Sequence, residues 1–217
     1  MQNNKKNPTA TKARIVKSAI ELFSKRGYSE TSMDDIAKKS KINKAMIYYY
    51  FKSKANLYEE VMGKVLKELY ISIKEAEKCC ESPLGDLEIF IKKYAYFSKK
   101  YPYLPTLILR ELSFGGKYLP NMVFAGLRDI FSLLNSILKE GEKEGIFKDV
   151  KPMVVHFMIT GTINLLSVTK ELRESAKESD PSLDTCIDED LEEISKYIFK
   201  KVKFMLEVDD EEDICRS

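Results

Sequence analysis

The chain has 217 residues, a mass of 25.0 kDa, 44% hydrophobic and 32% charged residues, and few glycines or prolines, which allows a substantial core and excludes a disordered or collagen-like chain. MQNNKKNPTATKAR contains no apolar run of the kind a signal peptide needs, and four unpatterned cysteines make no disulfide framework, so a cytoplasmic location is expected. The net charge of +2 conceals an asymmetry: residues 1–58 hold 13 Lys and Arg against 4 Asp and Glu, net +9, and the remainder is net −7, which points to a polyanionic partner for the first part only.

Helical periodicity starts at residues 11–26, where Ile15, Ala19 and Phe23 recur at i+4 and Gly27 supplies a C′ glycine. Thr31 and Ser32 offer N-cap hydroxyls, and Asp34 and Asp35 fall in the first turn of a short helix with Met33, Ile36 and Ala37 inward. That pattern fades at Ser40 and Lys41. Asn43 can cap a third helix that carries Ile47 and Phe51 inward.

Lys52 and Ser53 break the pattern. From Lys54 a long helix is predicted, with Leu57, Val61, Val65, Leu69 and Ile73 at i+4 and its end at Cys79 or Cys80. Further helices are predicted at residues 84–100, 103–115, 120–145, 151–177 and 187–208, and no strand alternation appears, so the fold class is all-α. Residues 152–169 run 18 positions without a formal charge, yet their Pro, His, Gly, Thr, Asn and Ser content argues against a membrane span.

A helix-turn-helix reads DNA because its second helix fits the major groove while neighbouring groups touch phosphates. The outer face of the helix after Asn43 carries Asn43, Lys44, Met46, Tyr48 and Tyr49. Lys44 can pair with guanine or phosphate, Met46 can touch a thymine methyl, and a tyrosine hydroxyl can bond a phosphate oxygen. Lys54 stands in the first turn of the next helix, where outward N–H groups favour phosphate.

The run TSMDDIAKKSKINKAMIYYYFKSKANLY resembles the DNA-binding signature of the tetracycline-repressor (TetR) family of bacterial and archaeal transcription regulators. Phe23 with Gly27-Tyr28, Thr31-Ser32, Ile36-Ala37, Tyr48, Tyr50-Phe51, Lys54 and Leu57 carry the match, over about the first quarter of the chain. The resemblance implies a three-helix helix-turn-helix domain at residues 1–58, with its motif at about 34–53, and DNA contacts from Ser32, Lys44, Tyr48, Tyr49 and Lys54. Asn43, Ala45, Met46 and Lys52 complete the candidate set. The chain departs from the family where Lys41 replaces a turn glycine and where Ala45-Met46 replaces Gly-Thr or Pro-Thr; a strained backbone at Lys41 is one consequence.

For residues 59–208 the resemblance implies a helical domain that binds a small, mostly apolar effector and pairs with a second subunit, followed by an acidic tail at 209–217. The aromatic-rich stretch suggests pocket residues Tyr94, Phe97, Tyr101, Leu107, Phe114, Met122 and Phe131, with Met158. Phe157, Gly161 and Leu165 in one helix and Leu191, Ile194, Ile198 and Val202 in another are the expected dimer interface. His156 lies in the first of these. The implied function is a ligand-responsive repressor acting as a homodimer on a palindromic double-stranded DNA operator. No enzyme, cofactor or metal site is expected, since phosphate loop, nucleophile elbow and ligand spacing are all missing. The rival readings are a helical interaction or ligand-binding module without DNA binding, and a thiol redox sensor built on Cys79-Cys80.

Overall fold

The computed structural model describes residues 8–77 and 82–207; Lys5 and Lys6, Cys79-Cys80, Cys215 and the acidic tail lie outside them. Among the described residues the structure is helical, apart from one isolated antiparallel bridge between Phe147 and Glu207, as the all-α reading expects. In chain order come α1 (Pro8–Glu30), α2 (Met33–Ser40), α3 (Lys44–Phe51), α4 (Lys54–Tyr58), α5 (Lys64–Glu77) and α6 (Pro83–Lys100). Then follow α7 (Tyr103–Ser113), α8 (Asn121–Lys143), α9 (Pro152–His156), α10 (Thr162–Val168), α11 (Lys170–Ser179) and α12 (Leu191–Leu206).

The chain forms two compact units. The first holds the described residues up to Lys67 together with Tyr103–Leu127; the second holds Glu68–Pro102 and the described residues from Arg128 onward. The first unit therefore runs past Tyr58 and takes in α7.

In the first unit the i+4 stripe of α1 is buried through Ile15, Ala19, Leu22 and Phe23. It packs on α2, α4 and α7, which bury Met33 and Ile36, Leu57 and Tyr58, and Leu104, Leu107 and Ile108. The ring of Phe23 meets Tyr58 edge-on at 4.7 Å, a preferred aromatic geometry. The long helix predicted from Lys54 is interrupted by one π turn at Glu59–Gly63, where the Lys64 N–H donates to the Glu59 carbonyl, five residues back.

In the second unit α6 lies against α12, each burying its amphipathic stripe: Leu87, Phe90, Ile91 and Tyr94 on one, Ile194, Ile198, Val202 and Leu206 on the other. The loop after α8 folds back, so that a Cβ at Gly141 would come within 2.1 Å of the Phe147 ring; only glycine fits there. The single helix predicted at 151–177 is in fact bent by 70° at Thr169. Two causes are visible. The Thr169 hydroxyl donates to the Leu165 carbonyl at 2.6 Å, and the Arg173 guanidinium caps the end of α10 at the Leu166 carbonyl at 2.8 Å. No single helix among the described residues is long and apolar enough to cross a membrane.

Candidate nucleic-acid interface

The two helices of the motif are set by their caps. Ser32 closes a capping box with Asp35: the Asp35 N–H donates to Ser32 Oγ at 3.1 Å and the Ser32 N–H donates to Asp35 Oδ2 at 3.0 Å. The Ser32 hydroxyl, which donates to Asp35 Oδ2 at 2.5 Å, and the Ser32 N–H together hold the Asp35 carboxyl below its ordinary pKa. Thr31 is not a second cap. Its hydroxyl, 1% exposed, donates to the Gly27 carbonyl at 2.8 Å and so pins the end of α1.

Lys41 ends α2 in the left-handed region, at φ 53° and ψ 36°, where a Cβ is penalised and glycine is not. Asn43 then starts α3, its side-chain oxygen accepting from the Ala45 N–H at 2.9 Å. At the other end Lys52 has φ 59° and ψ −38°, and the Ser53 N–H donates to the Phe51 carbonyl at 2.6 Å, a γ-turn with a strained central residue. Ser53 caps α4.

Between these corners α3 presents one face inward and one outward. Ile47 is 0% exposed and Phe51 4%, whereas Met46 is 45%, Tyr48 42% and Tyr49 78% exposed, and Asn43, Lys44, Ala45 and Lys52 are exposed with them. Tyr50 is half-buried, its ring edge-on to Tyr49 at 5.4 Å. Large side chains left in water on a short helix among lysines form a surface suited to groove edges and phosphates. The Lys44 ammonium pairs with Asp34 at 2.7 Å, which raises its pKa; this acidic neighbour, ten residues away in the chain, leaves no local signal in the sequence.

Lys54 differs from the other candidates. Half-buried, it donates from Nζ to the Tyr28 carbonyl at 2.8 Å and lies 4.2 Å from the centre of the Tyr28 ring, so in the free protein its cation is turned toward the end of α1. Burial lowers its pKa, opposed by the charge of Glu111.

The candidate effector residues are not brought together. Tyr94 and Phe97 are 5% and 4% exposed in the second unit; Tyr101 and Phe131 are half-buried there and Met158 is exposed. Leu107 is core in the first unit, on which Phe114 and Met122 are exposed. Tyr94 instead makes a buried polar pair, its hydroxyl 3.0 Å from Asn164 Nδ2. A cleft of about 420 Å³ in the second unit is lined by other residues, among them Lys99, Arg173 and Ile187.

The expected dimer residues divide likewise. Phe157 and Leu165 are 55% and 53% exposed, and a Cβ at Gly161 would meet nothing within 4 Å. Ile194, Ile198 and Val202 are 6%, 7% and 2% exposed, and Leu191 is half-buried; that stripe of α12 packs on α6 inside its own subunit. The outward apolar side chains of α12 are Tyr197, Phe204 and Met205.

Comparison with known proteins agrees with this architecture. Residues 15–61 match the family model described as bacterial regulatory proteins, tetR family. The chain is 25% identical over 170 residues to the HTH-type transcriptional repressor SCO4008 of Streptomyces coelicolor, covering 77% of this chain and 84% of that protein. It is 51% identical over 49 residues to the biofilm operon icaADBC negative transcriptional regulator IcaR of Staphylococcus aureus, 23% of this chain and 26% of that one. In fold it is similar to the transcriptional regulator FadR of Bacillus subtilis in complex with stearoyl-CoA, with a TM-score of 0.63 and 21% identity over 89% of this chain and 98% of that one. With the capped pair α2 and α3 lying inside the matched segment, residues 15–61 are a helix-turn-helix segment of the tetR family of bacterial regulatory proteins, and the chain is similar over most of its length to a helix-turn-helix transcriptional repressor.

Proposed function

We propose that the protein is a dimeric, ligand-responsive repressor that reads a two-fold symmetric DNA operator with α3. The observation that carries this reading is the outward face of α3, where Lys44, Met46, Tyr48 and Tyr49 stand exposed opposite the buried Ile47 and Phe51. Lys44 and Met46 reach base edges; Tyr48, with Ser32 and Asn43 at the helix starts and Lys52 at the corner, contacts phosphates. Ala45 allows close approach. Lys54 acts by fixing the start of α4 and reaches a phosphate only by leaving Tyr28. The reading involves no covalent chemistry.

Pairing uses the apolar face left in water on the second unit, including Phe157, Leu165 and Phe204. A two-fold dimer then offers two copies of α3 to half-sites about one helical turn apart or a multiple of it. The effector is a small, mostly apolar molecule taken into the second unit, which holds Tyr94, Phe97 and Phe131. By linkage, a ligand that prefers the conformer with poorly spaced α3 helices weakens DNA binding by the factor with which DNA weakens its own binding, typically about 1 to 3 kcal/mol.

Selection of bound duplexes from a random-sequence pool, followed by footprinting, tests the reading. The expected product is an inverted repeat protected on both half-sites. A pool that enriches no sequence, or a single asymmetric half-site, contradicts it.

A further inference from the structure

The run YLPTLILRELSF has one acid in a largely apolar stretch, and α7 buries it: Glu111 is 3% exposed. A carboxylate withdrawn from water must be met by donors or by charge. Glu111 Oε1 accepts from the Tyr28 backbone N–H at 3.1 Å and from the Tyr58 hydroxyl at 3.1 Å. Tyr58 is 0% exposed, and burial together with the Glu111 charge pushes its hydroxyl pKa up, which keeps it a donor. Beside it Arg110 leans on the same corner: its Nη1 donates to the Ser24 carbonyl at 3.5 Å, and a Cβ at Gly27 would come within 2.9 Å of its Nε. Lys54 closes the cluster on the Tyr28 carbonyl, its ammonium favoured by Glu111 against the cost of burial.

The α2–α3 pair is joined to the rest of the first unit at two places, the stretch after Gly27 and the corner at Lys52 and Ser53. Tyr28 belongs to the first joint. Tyr58 lies on α4, directly beyond the second. One carboxylate on a third element, α7, holds both.

We propose that Glu111 is a positioning residue for DNA binding: by holding Tyr28 and Tyr58 from α7 it fixes the angle at which α3 is presented. Withdrawing it leaves an N–H and a hydroxyl buried without an acceptor, and the joints must shift to satisfy them. The proposal rests on the reading of α3 as the DNA-reading helix.

The test compares full-length variants for binding to the selected duplex by fluorescence anisotropy, with circular dichroism on the same samples. Glu111→Leu removes the acceptor and is expected to keep its helical signal while binding about tenfold more weakly. Glu111→Gln keeps an oxygen for both donors and is expected to bind within about threefold of wild type, a rescue that lost packing alone would not give. Tyr58→Phe keeps the ring and is expected to lose about threefold to tenfold, and to add nothing in the Glu111→Leu background. A folded Glu111→Leu variant with wild-type affinity overturns the proposal and leaves the DNA-reading assignment standing. Wild-type protein that binds no duplex overturns both. If Glu111→Leu fails to fold, Tyr58→Phe decides, and unchanged affinity in that variant overturns the proposal.

Discussion

Lys41 closes α2 at φ 53° in an exposed position, so its side chain is penalised by backbone geometry without compensation from packing. Replacing it with glycine relieves a left-handed residue at a cost of about 1 to 2 kcal/mol but increases unfolded-state entropy, for a net gain of roughly 0.5 to 1 kcal/mol. Thermal unfolding of Lys41→Gly is therefore expected to shift up by about 2 °C, while Lys41→Ala, which keeps the strain, gains nothing. His156 acts in the opposite direction. Its ring lies between Phe131 and Phe157, its Nδ1 is buried without a hydrogen-bond partner, and burial pushes its pKa down from 6.5 to about 4. Because the depressed value belongs to the folded state, stability is undiminished above pH 6.5 and is lost as the pH falls from 6.5 toward 4, when only the unfolded chain takes up a proton. Between pH 7 and 5 this costs about 2 kcal/mol. Urea unfolding at the two pH values should show that loss in the wild type and a clearly smaller one in His156→Phe; equal losses in both would remove His156 from the account.

Among the elements, α12 and the α9–α10 rod define two kinds of apolar surface, and substitution separates them. Phe157→Glu with Leu165→Glu places charge on side chains that are already in water and is expected to reduce the mass seen by light scattering from twice 25.0 kDa to that of one chain, with the fold intact. Ile198→Glu buries a charge against α6 and is expected to cost several kcal/mol and unfold the second unit. A double variant that stays dimeric would show that pairing uses another face. The same contrast shows what periodicity conveys. An i+4 stripe such as Leu191, Ile194, Ile198 and Val202 marks an element's buried face and says nothing of whether the neighbour is its own α6 or a second chain. Caps were more legible: Ser32, Asn43 and the stop at Lys41 depend on local hydrogen bonding and backbone sterics, and each stands where residue chemistry places it. The bend at Thr169 was not legible, since it depends on Arg173 reaching back to Leu166 and on the Thr169 hydroxyl competing for the Leu165 carbonyl.

For the whole molecule, the charge division of +9 before residue 59 and −7 after it implies that the two parts respond differently to a polyanion. The pocket was the least legible feature. Aromatic density between Tyr94 and Phe131 is real, but Leu107, Phe114 and Met122 belong to the first unit and Tyr94, Phe97 and Phe131 to the second, a division no local pattern records. Glu111 did leave a signal, a lone acid in an apolar helix, and finding its partners required the fold. Entry of the exposed face of α3 into a DNA groove is measured by anisotropy titration of the selected duplex with wild type, Tyr48→Phe and the Lys44→Ala, Tyr49→Ala double variant at about 50 and 200 mM salt. Wild-type affinity is expected to fall by a factor of about a hundred or more between the two salt concentrations, with losses on the order of tenfold for Tyr48→Phe and more for the double variant. Binding that ignores salt and is the same for all three proteins would contradict groove entry by α3.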